Sequence, residues 1–124
     1  MAFTTATANK ILDKILKNTD FTPATTLYVS LHTADPADTG ANEVTGGSYA
    51  RQLATFNSAA TKATTNVANV DFALMPAVTV THVGIWSAST VGTFWWGGPL
   101  TASKVVPAGE TFRISAADLD VTLT

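Results

Sequence analysis

The stretch TTLYVSLHTADPADTGANEVTGGSYARQ, residues 25–52, decides how the rest of the chain reads. Leu27, Val29 and Leu31 alternate with Tyr28, Ser30 and His32, the period-two pattern of a strand with one buried face. Asp35-Pro36 and Thr39-Gly40 break the alternation, acidic residues gather, and Gly46-Gly47 turns the chain into a second strand in SYARQLATF, residues 48–56. The connection is too long for a tight hairpin, and its polarity suits a surface crossing over a sandwich.

Working outward, residues 7–17 carry the one helical pattern: Ile11, Leu12, Ile15 and Leu16 make a single apolar stripe. Thr5 or Thr7 is placed to cap its start, Lys14 and Lys17 suit the negative end of its dipole, and Asn18 followed by Thr22-Pro23 stops it. So short a helix is marginal alone, so the stripe must dock, either on its own domain or on a neighbouring subunit.

Downstream everything reads as strand and turn. NVANVDFAL (66–74) puts Val70, Phe72 and Leu74 on one face. In VTVTHVGIW (78–86) Val78 and Val80 share a phase that Val83 and Ile85 do not, which requires burial on both sides or a bulge near His82-Val83-Gly84. TFWW (93–96) is expected to end at Gly97-Gly98-Pro99, KVVP and TFRI flank the turn at Pro107-Ala108-Gly109, and VTLT closes the chain. About eight short strands after one N-terminal helix argue a mainly β fold, an antiparallel β-sandwich or jelly roll.

The 124 residues fit a single domain, 1–124, with residues 1–20 as its helical segment. Hydrophobic residues reach an ordinary 46%, but only 13% are charged, about half of the roughly 25% usual in soluble domains. A neutral, threonine- and alanine-rich, β-prone surface suits a subunit packed into an assembly better than a freely diffusing enzyme. A net charge of −2 with scattered basic residues argues against a nucleic-acid partner. With no cysteine there is no disulfide or thiolate metal site. No signal-peptide pattern opens the chain and no apolar run reaches membrane-span length, so cytoplasmic synthesis and no membrane partner are expected.

His32 with Asp35, Asp38 and Glu43 is the best candidate for metal or acid–base chemistry, but the spacing matches no calcium loop, and a solvated acidic loop is the reading. His82 reads as a structural histidine. No nucleophile elbow, zinc-protease motif or phosphate loop occurs, so neither a catalytic site nor a cofactor is expected. Trp86, Trp95 and Trp96 invite comparison with a sugar-stacking platform. Adjacent on a strand, Trp95 and Trp96 should face opposite ways, one into the core and one toward an interface. Arg113 should point outward, opposite Phe112 and Ile114.

Four segments together, TANKILDKIL (7–16), residues 21–52, THVGIWSASTVGTFWWGGPL (81–100) and KVVPAGETFRISAADLDVTL (104–123), resemble a family of small tailed-bacteriophage virion structural proteins often labelled as tail-fibre proteins. LYVSLHTADP, EVTGGSYARQ and AGETFRI followed by LDVTL are its most specific pieces, acting jointly. The resemblance implies a non-enzymatic structural subunit of the virion. A compact domain of this size looks like a capsid cement or decoration protein, which would sit on the capsid exterior and bind the major capsid protein and copies of itself as a dimer or trimer. The alternative is a tail-fibre or tail-tip protein, with a host-surface glycan or receptor as partner. On either reading the candidate interface residues are Phe3, Ile11, Leu12, Ile15, Leu16, Asp35, Asp38, Glu43, Tyr49 and Trp96.

Overall fold

The computed structural model describes residues 2–123; Met1 and Thr124, the ends of the expected single domain, lie outside the described residues. Strand β1 (Ala2–Phe3) leads into helix α1 (Thr5–Lys17). There follow β2 (Leu27–His32), β3 (Gln52–Ala54), β4 (Ala63–Thr65), β5 (Val70–Phe72), β6 (Val78–Trp86), β7 (Phe94–Val106), β8 (Phe112–Ile114) and β9 (Asp120–Thr122). A five-stranded antiparallel sheet in the order β1-β7-β6-β2-β3 is accompanied by two two-stranded ladders, β4-β9 and β5-β8. The fold is mainly β and antiparallel with one helix, as the sequence implies. The pairing does not give the two four-stranded sheets of a jelly roll, so that detail does not carry over.

Both faces of the central sheet are covered. Val29 and Leu31 stand opposite Ile85 and Val83, and with Trp96 they form one face of the core. Val70 and Phe72 of β5, Phe112 and Ile114 of β8, and Val121 of β9 close over them. The alternation in β2 therefore identifies the core face correctly. The other face was expected to meet solvent, yet Ser30 and His32 are completely buried, beside Trp86 and Phe94. Glycine makes this possible: a Cβ on Gly84 would run into Phe94 and the Ser30 hydroxyl, and one on Gly97 would meet Phe94 and Pro36.

Residues 33–42 cover that second face, which corrects the expectation of a crossing. β2 and β3 are direct antiparallel neighbours, with Leu27 opposite Ala54 and Val29 opposite Gln52. The intervening chain folds back on itself: the Gly40 and Ala41 amides donate to Pro36 O, and Thr33 N–H donates to Asn42 O. The ladder then resumes where Glu43 bridges His32 and Val44 N–H donates to Leu31 O at 2.9 Å. A local loop closed by its own hydrogen bonds satisfies its backbone without spanning the molecule. Gly40, at φ +75° and packed against the Trp86 ring, is a position where a side chain has no room.

The irregularity expected in β6 lies at Thr81, between the pairs Val80–Lys104 and His82–Pro99. Opposite it, residues 100–103 of β7 stand outside the ladder. The Gly97-Gly98-Pro99 segment thus interrupts pairing as expected but does not end the strand, since β7 resumes at Lys104. Pro99 is tolerated because β1 covers β7 only at Trp96 and Gly97, leaving an open edge beyond. Leu74, expected on the core face of its strand, lies past β5 with φ +51° and is exposed.

Candidate functional site

The cap of helix α1 is Thr4, one residue before Thr5 and three before Thr7, the two caps the sequence suggested. Thr4, extended at φ −61° and ψ 156°, accepts the Thr7 N–H on its hydroxyl, while Asn18 in the left-handed conformation ends the helix. The start is fixed twice more: Thr4 N–H donates to Trp95 O at 3.0 Å, and Asp38 accepts both the Thr5 amide at 3.2 Å and the Thr5 hydroxyl at 2.6 Å. Those two hydrogen bonds, first the hydroxyl and then the amide, hold the Asp38 carboxyl below its usual range. The helix is therefore clamped at its N-terminal end, and Thr7 is its only buried residue.

The apolar stripe does not dock on its own domain. Leu12 is 54% exposed, and Ile15 and Leu16 are each 74% exposed. Of the four stripe residues only Ile11 is half-buried, at the edge of an open apolar groove of about 360 Å³. Phe3, Phe21, Phe56, Trp95 and Val121 are among the residues of its wall. Phe21 packs on Trp95 with ring centroids 5.7 Å apart, and Lys10 lies over the Phe21 ring at 5.4 Å. Stripe and groove adjoin, joined by Ile11.

The tryptophans depart from the expected alternation. A register shift between Ile85–Trp96 and Trp86–Phe94 leaves Trp95 as the extra residue of a bulge, so Trp95 and Trp96 both reach the groove wall. Trp96, a candidate interface residue on the sequence, is completely buried; the partly exposed ring is Trp95. Trp86 is also buried, so the three rings form no exposed sugar platform.

The loop candidates serve the chain itself. Arg51, which the sequence reading passed over, organises them. Its guanidinium forks onto Glu43 with two contacts of 2.9 Å, donates to the carbonyls of Ala88 at 3.1 Å and Val91 at 2.8 Å, and lies 3.6 Å from the Trp86 ring centroid. Tyr49 donates its hydroxyl to Glu43 at 2.7 Å and accepts the Leu31 amide at 3.0 Å. Burial pushes the Glu43 carboxyl upward, but Arg51 and Tyr49 outweigh it and hold the group below its ordinary value. Burial first, and then the neighbouring carboxylate, push the Tyr49 phenol well above its own. The signal for this network was Glu43 and Arg51 themselves, two opposite charges in a chain with few. Asp35 turns its side chain onto the Ala37 amide at 2.9 Å.

His32, grouped on the sequence with Asp35, Asp38 and Glu43, has two other hydrogen-bond partners. Trp86 Nε1–H donates to Ser30 Oγ at 2.9 Å, Ser30 lies 2.7 Å from His32 Nε2, and His32 Nδ1 lies 2.7 Å from Ala41 O. A carbonyl only accepts, so Nδ1 carries a proton; burial disfavours a second one, which leaves Nε2 to accept from the Ser30 hydroxyl. This serine–histidine pair is sealed from solvent, with no route for a substrate. His82 contacts Thr81 Oγ1 at 2.8 Å, Arg113 forks onto Asp71 at the surface as its outward position implied, and no cluster of three metal-ligating side chains forms among the described residues.

Among curated proteins no match is found. A family model described as Gp80, podophage GP4 fiber I protein gp80, matches residues 2–122, which takes in α1, the 33–52 region and the strands through β9. With a match over almost its whole length, on a domain whose loop motif is a structural brace, this chain belongs to the podophage GP4 fiber I protein gp80 family and is a phage virion structural protein.

Proposed function

We propose that this chain is a subunit of a phage fibre and that it joins its neighbours through the outer face of α1 and the adjoining groove. The observation that carries the assembly part is the exposure of Leu12, Ile15 and Leu16 beside a groove walled by aromatic rings. An apolar face of this kind marks an interaction surface. The fibre placement follows the family's description. The work is mechanical: positioned contacts between rigid copies, with no bond made or broken. The clamped helix start supports this, since a contact surface must be held in one orientation to bind without an ordering penalty.

A second reading places the chain on the capsid exterior as a cement protein bound to the major capsid protein. The short elements favour it, because α1 has 13 residues and no long helical shaft is present among the described residues. Localising the protein on particles by electron cryomicroscopy separates the two. A few copies at the tail support the fibre; a regular lattice of copies over the head replaces it with the cement role.

A further inference from the structure

We propose that two copies of this chain pair through α1, antiparallel and about a twofold axis, an inference that rests on the assembly role argued above. At 100° per residue, Ile11 and Ile15 form one row along the helix, and Leu12 and Leu16 form a second row beside it. Both rows have the same spacing, and in residues 11–16 the pattern of two apolar, two charged and two apolar positions is symmetric about its centre. A half-turn about an axis that runs beside this face, perpendicular to the helix and level with the Asp13–Lys14 bond, generates an antiparallel second copy and lays each row on its own copy. Ile11 then meets Ile15 of the second copy and Leu12 meets Leu16, each contact occurring twice, as an isologous interface requires.

Charge sets the direction. Lys10, Asp13, Lys14 and Lys17 all fall on the half of the helix away from the two rows, so the contact face is uncharged. The ends differ in sign: the exposed Asp38 carboxylate sits at the start, bonded to Thr5, and Lys14 and Lys17 occupy the last turn. Antiparallel packing sets unlike ends of the two helix dipoles side by side, whereas a parallel pair sets like ends together. The same geometry brings Ile15 of each copy over Ile11 of the other, at the rim of the aromatic groove. Three exposed aliphatic side chains and part of the groove, taken twice, cover on the order of 1,000 Å², about the lower bound for a specific contact. The pair is accordingly a weak, reversible one in solution.

Sedimentation equilibrium of the full chain tests this. The expected result is a monomer–dimer equilibrium, weakened roughly 100-fold by Ile15→Asp because the twofold counts the loss twice. Ile15 is exposed in the single copy, so the variant should melt at the same temperature when dilute. The chain has no cysteine, so mixed Leu12→Cys and Leu16→Cys proteins should form a cross-linked dimer on mild oxidation, while Val91→Cys, exposed on the β6–β7 turn, should not. A monomer up to about 1 mM, a trimer, or a dimer that Ile15→Asp leaves intact overturns the pairing. A monomer in solution together with fibre density on particles overturns only the pairing; a dimer that never enters particles overturns only the virion reading.

Discussion

Arg51 shows what a single side chain contributes in a chain so poor in charge. Its side chain is only 9% exposed, and it ties the 43–51 region to the β6–β7 turn through Glu43, Ala88, Val91 and Trp86. Arg51→Ala leaves Glu43 half-buried and unpaired, and should lower unfolding free energy by about 3 kcal/mol in urea melts. Arg51→Lys should recover little of it, since an ammonium cannot fork onto a carboxylate and reach two carbonyls as well. The exposed pair of Arg113 and Asp71 has similar distances, but solvent screens it, and breaking it should matter little. His32 supplies a pH dependence. Burial holds its folded value below the ordinary 6.5, so the unfolded chain takes up a proton first. Stability is therefore full above 6.5 and falls as pH drops toward the folded value. Glu43, held below its ordinary 4.5, adds a further loss as pH falls through its own folded value. Melting temperatures between about pH 8 and 5 should show the first decline in the natural chain and not in His32→Gln, whose side chain does not titrate in that range.

At the scale of elements, α1 separates stability from assembly. Thr4 caps it and is itself buried, so Thr4→Ala should cost about 1 kcal/mol in a denaturant melt. Ile15→Asp should leave the melt within about 0.5 kcal/mol, since the site is at the surface, yet strongly reduce incorporation into particles, scored by blotting purified virions. What the sequence told about these elements depended on range. The helix, the core face of β2, the β6 irregularity and the outward Arg113 rest on local periodicity, and all were legible. The strand β4 was not, because Ala63-Thr64-Thr65 is too short and polar to stand out, and β1, two residues long, takes its strand form from pairing with β7. The β2–β3 neighbourhood was misjudged for a related reason. Loop length alone argues for a crossing, and nothing in residues 33–42 announces that their carbonyls and amides close on one another.

For the whole molecule, the low charge fraction and the unpartnered stripe point the same way, toward a chain completed by neighbours. Among the candidate interface residues, Leu12, Ile15 and Leu16 are exposed on one face of α1, a placement that helical spacing alone makes legible. The burial of Trp96 was not legible, since the bulge at Trp95 upsets the alternation from which its orientation was read. Nor were the intrachain bonds of Glu43 and Tyr49 to Arg51 and Leu31, which join residues from separate segments. The most direct test of the central claim, that this is a fibre subunit held by the α1 face, is an electron cryomicroscopy reconstruction of phage particles that carry the chain. The account predicts its density at the tail fibres, with Leu12, Ile15 and Leu16 covered by a neighbour. Density spread over the head lattice, or a fibre subunit whose α1 face lies open to solvent, would contradict it.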